Sequence, residues 1–420
     1  MRSVEEQQAL VTASAVAPRP VRVAISEAQG LLCAEDVVAA RPLPGFDQAA
    51  VDGYAVRSID VTDAGSDELT GPEGEPTELT LPVVGEVAAG SRQPTRLQPR
   101  QAVRVRTGAP LPTLADAVVP EGWTNGGHAR VKIHRPVLSG AYVRRAGDDV
   151  QPGDVAVKAG TIIGPAQVGL LAAVGQTKVL VHPRPRLSVI SVGAELVDID
   201  RDPGMGQVFD VNSYALAAAA RDAGAEVNRV GISDTDPTKL RDVVEGQLLR
   251  AEIVVIAGAA GGQQTERYRD ALDGLGEIDL TRVAMHPGSV QGFGLLGEDQ
   301  VPTFLLPANP VSALVVFEML IRPLVRIALG RRQPMRRVVR ARTVAPITSI
   351  DGRQAFLRGQ LMRDEQTGEY LVEALGGAAG SSSHLLATLA EANCLVTLAP
   401  GVTEVETGEV VEVIFLAQRG

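Results

Sequence analysis

Cysteine is almost missing from this chain. Cys33 and Cys394 stand far apart with no Cys-x-x-Cys spacing, which excludes a disulfide framework and a zinc site and fits a reducing cytoplasm. Long apolar runs are missing too. The longest, "SALVVFEMLIRPLVRIAL", is interrupted by Glu318, Arg322, Pro323 and Arg326, and the amino terminus "MRSVEEQQALV" has no apolar core of signal-peptide length. Neither a membrane span nor a secretory leader is expected. Positive charge is in deficit: the net charge is −10 and the pI about 5.2, against a general nucleic-acid binder, whose phosphate contacts need a concentrated positive field. Basic residues cluster once, in "GRRQPMRRVVRAR" over 330–342. Such a run is either a solvated segment between domains or a contact for an acidic tail. Aromatic residues make up only 3% of the chain, yet 45% is hydrophobic and 44 residues are glycine, a balance that suits Val/Ala/Leu-rich sheets and helices joined by many turns.

A chain of 420 residues exceeds one ordinary core, and about two to four domains are expected. Residues 1–45, a weakly helical acidic stretch leading into the proline-fixed bend "RPLPGFD", pair with 145–178 as an N-terminal and linker subdomain. Over 46–144, runs such as "LTLPVVGEV", "AVRVRTGAP" and "ARVKIHRPV" alternate between Gly/Pro turns, predicting a β-barrel-like subdomain. From 179 to 329 the rhythm becomes strand, turn and helix. "RLSVISVG" is a buried strand, Asn212 a cap for the helix "SYALAAAARDA" that Gly224 closes, and "EIVVIAGAAGG" a strand ending in small residues. Alternation of this kind specifies a doubly wound parallel sheet with ligands at the carboxyl ends of its strands, so the loops to inspect are 192–195, 233–237, 257–266, 286–292 and 307–310. Residues 330–420 return to short strands and form a C-terminal β-domain, making the whole an α/β multidomain chain.

The stretch "MHPGSVQGFG" (285–294) has the backbone layout of an anion-cradling turn, with Pro287, Gly288 and Gly292 but no lysine or arginine. Taken in order, "PLPGFDQAAVDGYAVR" (42–57), "RTGAPLP" (106–112), "RRAGDDV" (144–150), "GQVFDVNSYAL" (206–216), "LPANPVSAL" (306–314), "GRQAFLRG" (352–359) and "SSSHLLATLAEANCL" (381–395) resemble the MoeA family, the molybdopterin molybdenumtransferases that include the E domain of gephyrin. The resemblance implies a homodimer with a MogA-like doubly wound domain, and an active cleft shared between subunits. It also implies an activity that transfers molybdate onto adenylylated molybdopterin with magnesium. Carried over by position, Asp52, Asp149, Glu195, Asp236 and Glu266 are the candidate catalytic acids, Glu195 and Asp236 among them as metal ligands. Thr107, Gly108, Gly258, His286, Gly288, Asn309 and Ser312 are the candidate cofactor contacts. The same residue types also favour turns and helix caps on local grounds.

Against the family pattern, two lysines of a K-P-G-K-P turn are replaced at His286–Val290, and a Gly-Gly-Val-Ser loop becomes "AGAAGGQQTER" without its serine. Each lost charge-assisted phosphate contact weakens binding by about 1.5–3 kcal/mol. The resulting expectation is a gephyrin-like scaffold with a degraded molybdenum-insertion site and no certain cofactor. It would grip a receptor's cytoplasmic tail or a tubulin-type polymer through Glu5, Gln8, Arg336, Arg337, Pro400 and Val402, and so be cytoplasmic and recruited to a membrane by its partner. The alternative is the family enzyme, with magnesium and molybdopterin or molybdate. Complementation of a MoeA-deficient host separates the two.

Overall fold

The computed structural model describes residues 1–65, 79–92, 95–375 and 386–416. Residues 381–385 of the "SSSHLLATLAEANCL" motif lie outside the described residues. The chain divides into two compact units, Arg22–Val181 and a discontinuous one made of Met1–Val21 with His182–Gly420.

In the first unit a five-stranded sheet runs in the order Ala117–Pro120, Gly53–Val56, Ala102–Val105, Thr80–Val87, Arg130–Lys132. The strand period of two is plain in Gly53–Val56: Tyr54 and Val56 enter one apolar cluster with Leu81, Val119 and Val131, while Ala55 enters another with Val103, Val105 and Val118. Both faces are buried, so the sheet curls over its own side chains.

The second unit carries a six-stranded sheet in the order Glu226–Ser233, Arg186–Val192, Ile253–Ala260, Val301–Pro307, Gly292–Leu296, Ile278–Asp279. Its first four strands are parallel, and Gly292–Leu296 runs antiparallel to both of its neighbours. Alternate residues again divide between the faces. Val189, Val255 and Phe304 pack with Leu216, Ala220 and Phe317, and Ile190, Val254, Ile256 and Leu305 with Leu240, Val244 and Leu272. The helices Asn212–Ala223 and Pro310–Val316 thus cover one face, and Pro237–Leu248 and Thr265–Leu272 the other. This is the doubly wound fold that the sequence implied.

C-terminal strands Gln354–Arg363, Tyr370–Ala374, Val338–Thr343, Val410–Phe415 and Cys394–Leu398 hydrogen-bond in that order, and the last pairs back with the first. They close a five-stranded barrel around Val372, Val396, Val411 and Val413. Barrel closure therefore occurs here, whereas the 46–144 segment is the curled sheet.

Residues 1–21 do not join 22–45 as expected. Val4 and Val11 of the helix Val4–Ala13 are buried in the core beneath the doubly wound sheet, and Arg2 bridges to Val283. A proline explains part of the attachment. Pro323 has no N–H to give the carbonyl four residues earlier, so the long helix passes through a π-helical turn at Phe317–Ile321 before Arg322–Ala328. The Met319 carbonyl accepts instead from Gln8 Nε2 at 2.9 Å.

Candidate functional site

In the doubly wound sheet the strand order reverses beside Arg186–Val192: the chain steps outward to Glu226–Ser233 and then crosses back to Ile253–Ala260. The crevice beyond that switch point is the expected ligand position. Its floor demands glycine at 258, which has φ +87° and whose added Cβ would lie 2.1 Å from the Val192 carbonyl oxygen. Gly258 is therefore a close-approach residue before it is a cofactor contact.

Several polar residues around the crevice are engaged in holding its loops. Asp236 caps Pro237–Leu248, its Oδ1 accepting from Thr238 N at 2.9 Å. Asn309 caps Pro310–Val316, accepting from the backbone N–H groups of Val311 at 3.0 Å and Ser312 at 3.1 Å. Asn212 is not the cap of its helix. Buried Asp210 does that work, accepting from Ser213 N at 3.0 Å and Ser191 Oγ at 2.8 Å. Asn212 lies inside the first turn and donates from Nδ2 to the Ala308 carbonyl at 2.8 Å. Its Oδ1 is buried without a partner, an unsatisfied acceptor of the kind that a bound group answers. Glu266 is exposed and paired with Arg269 at 2.6 Å. Glu195 is exposed too, and its carboxylate has no hydrogen-bond or ion-pair partner among the described residues.

The turn after Met285 has a different neighbour from the one that the sequence suggested. Met285 and His286 pair in parallel with Gln354 and Ala355 of the C-terminal barrel, and Gln354 N donates to the Ala284 carbonyl at 2.9 Å. This pairing brings Arg353 to the turn. Burial first, and then the Arg353 charge, push the His286 imidazole below its ordinary pKa. Pro287 and Gly288 are buried. Gly288 has φ +100°, and a Cβ there would lie 2.5 Å from Val316 Cγ2 and 3.5 Å from the Ser312 carbonyl, so it is required by helix packing. Gln291 Nε2 donates to the Gly288 carbonyl at 3.1 Å, leaving its buried Oε1 unpartnered.

In the curled-sheet unit, Asp52 accepts from Thr107 N at 2.8 Å and Thr107 Oγ1 at 2.9 Å, and pairs with Arg106 at 3.0 Å. These contacts, the Thr107 N–H foremost, hold its carboxyl below the usual range. Gly108 turns with φ +79° beside Gln48 Oε1. Asp149 is exposed, with its N–H donating to the Leu43 carbonyl at 3.0 Å.

The residues expected to grip a partner do not line one groove. Gln8 is engaged with Met319, and Arg336 is held by Glu318 at 2.8 Å and Asp222 at 3.1 Å. The Arg337 guanidinium sits 5.9 Å from the Phe415 ring centroid. Glu5, Pro400 and Val402 are exposed. A groove of about 680 Å³ lined by Arg342, Gln354, Val402, Glu404, Glu409 and Glu412 takes in Val402 alone of the six.

A doubly wound domain with polar loops at its switch point, a closed barrel and a curled sheet define a modular α/β protein. Three family descriptions match it in succession: "MoeA N-terminal region (domain I and II)" over residues 2–175, "Probable molybdopterin binding domain" over 188–327 and "MoeA C-terminal region (domain IV)" over 340–416. The chain belongs to the MoeA family. It is 69% identical over 426 aligned positions to molybdopterin molybdenumtransferase 1 of Mycobacterium tuberculosis H37Rv, covering 100% of both chains. To molybdopterin molybdenumtransferase 2 of the same strain it is 38% identical, covering 98% of this chain and 99% of the other. A crystal structure of the Pyrococcus horikoshii molybdopterin biosynthesis MoeA protein superposes with a TM-score of 0.80 at 30% identity, covering 99% of each.

These matches overturn the scaffold reading. Full-length identity of 69% to a named transferase supports the enzymatic alternative, and nothing indicates a gephyrin-like scaffold or a pseudoenzyme. The 286–290 turn carries no cation of its own, but strand pairing brings Arg353 beside it from a segment distant in sequence.

Proposed function

We propose that this chain is a molybdopterin molybdenumtransferase, inserting molybdate into adenylylated molybdopterin during molybdenum cofactor synthesis. The observation that carries this reading is the 69% identity, across the whole of both chains, to a relative of that name. The geometry supplies parts suited to it. Arg353 provides a fixed positive charge beside the 286–289 turn, where a neutral His286 can donate or accept a hydrogen bond without adding charge. Asn212 Oδ1 and Gln291 Oε1 are buried acceptors without a hydrogen-bond partner.

Magnesium bound largely through substrate phosphates needs only one or two protein carboxylates. Glu195 fits that role. Asp236 has one oxygen committed to its helix, and no group of three or more His, Cys, Asp or Glu side chains gathers as a metal cage among the described residues. Magnesium there would offset phosphate charge. Among the described residues no helix is long and apolar enough to cross a membrane, and with both cysteines free a cytoplasmic site of action is part of the proposal.

Expression in a MoeA-deficient host tests the function. The chain is expected to restore molybdoenzyme activity, and Arg353→Ala to reduce turnover by about 10- to 150-fold, the equivalent of one charge-assisted contact of ~1.5–3 kcal/mol. Failure of the unaltered, folded chain to restore activity would sink this reading.

A further inference from the structure

The basic run that composition singled out has a buried root. Four arginines, Arg322, Arg326, Arg331 and Arg336, converge where the helix Arg322–Ala328 ends, facing two acids, Glu318 and Asp222. Those acids are already taken. Glu318 receives Arg336 Nε at 2.8 Å and Nη2 at 3.0 Å and lies 3.6 Å from Arg322 Nε, while Asp222 receives Arg336 Nη2 at 3.1 Å. Neither acid hydrogen-bonds or ion-pairs with the other two, and only the Asp222 charge reaches Arg326 at longer range. The Nε atoms of Arg326 and Arg331 are buried without a hydrogen bond, and no ion pair or hydrogen bond from a described residue reaches either side chain.

Burial, followed by the charges of Arg331 and Arg336, disfavours the charged form of Arg326, and the Asp222 charge offsets only part of this. The helix C-terminus offsets only about half a unit of charge. Arg331 N donates to the Arg326 carbonyl at 3.0 Å, so two half-buried residues whose cations lack an ion-pair partner sit together at a helix end in a chain of net charge −10, an arrangement that an anion would complete.

We propose that Arg326 and Arg331 form a binding site for a doubly charged tetrahedral oxyanion of the phosphate class, with Arg322 and Arg336 as its walls. Paired guanidinium forks match such an anion in charge and in donor geometry. The site is separate from the switch-point crevice. Arg326 follows the Asn309 cap by a run of helix that spans roughly 25 Å at ~1.5 Å per residue.

Phenylglyoxal footprinting of the full-length chain, read per arginine by peptide mass spectrometry, tests this without any variant. Inorganic phosphate at low millimolar concentration is expected to slow modification of Arg326 and Arg331 at least three-fold relative to chloride of equal ionic strength. Phenyl phosphate in a parallel arm tells a monoester from the free anion, according to which protects at the lower concentration. Arg331→Gln should abolish protection of Arg326 while leaving the Arg353 peptide as in the unaltered chain. Equal rates in phosphate and chloride overturn the proposal. So do Arg326 and Arg331 that never react in chloride, because protein then already covers them.

Discussion

His286 is held neutral by burial and by Arg353, and the sign of the resulting pH dependence can be worked out. In the unfolded chain the ring takes up a proton near pH ~6.5. Between that value and the depressed folded pKa the unfolded state holds more protons, so stability is fully present above pH ~6.5 and is lost as pH falls toward the folded pKa. His286→Gln should flatten this part of the profile, read from urea midpoints between about pH 7.5 and 5. A variant profile parallel to the original would assign the acid sensitivity to other groups. Two glycines give a second residue-scale contrast. Gly258→Ala drives a Cβ against the Val192 carbonyl in a positive-φ conformation, and the backbone there cannot yield; a loss of about 2–4 kcal/mol is expected. Gly288→Ala meets a side-chain methyl of buried Val316 and no backbone atom closer than the Ser312 carbonyl at 3.5 Å, and should cost less. A larger loss at 288 than at 258 in urea titrations would contradict that ordering.

Helix ends separate holding a loop from doing chemistry. Asn caps as well as Asp, so Asp236→Asn keeps the hydrogen bond to Thr238 and removes the charge, whereas Asp236→Ala loses about 1 kcal/mol of stability. Because Glu195 is assigned the metal, turnover should survive Asp236→Asn within about two-fold; a ten-fold drop at unchanged stability would move the metal to Asp236. The caps also show how far sequence reaches at this scale. The sequence suggests Asn212 as the cap of a helix that is indeed there, but Asp210 and Asn212 both suit such an end. Only the burial of Asp210 between Ser191 and Ser213 decides which of them caps. Gln8 gave no such signal. Its partner is a carbonyl that a proline far along the chain leaves unmatched, and Gln8→Ala should cost about 1 kcal/mol by exposing that carbonyl to an apolar face.

At the scale of the molecule, the doubly wound sheet was legible because its strands and helices follow one another locally, and the C-terminal strands because turns punctuate them. What sequence did not disclose were juxtapositions made by strand pairing: Arg353 beside His286, the barrel closed by its first and last strands, and residues 1–21 beneath a distant helix. The family landmarks located each segment, yet the function inferred from missing lysines failed because charge at a site is summed over space. A homodimer remains our proposal for the assembled state, with sedimentation expected to give about twice 44.0 kDa. A concentration-independent monomer would rule out a cleft completed by a second copy.

The discontinuous unit also sets a timetable. The surface that buries Val4 and Val11 of the helix Val4–Ala13 is synthesised roughly 300 residues after that helix, a delay of ~15–60 s at ~5–20 residues per second. Through that interval Arg22–Val181 can complete its own core while the leading segment waits with its apolar stripe uncovered. Nascent-chain chaperones have that stripe to hold, and residues 4–13 are expected to resist proteases only once the segment 317–329 that packs with them has been made.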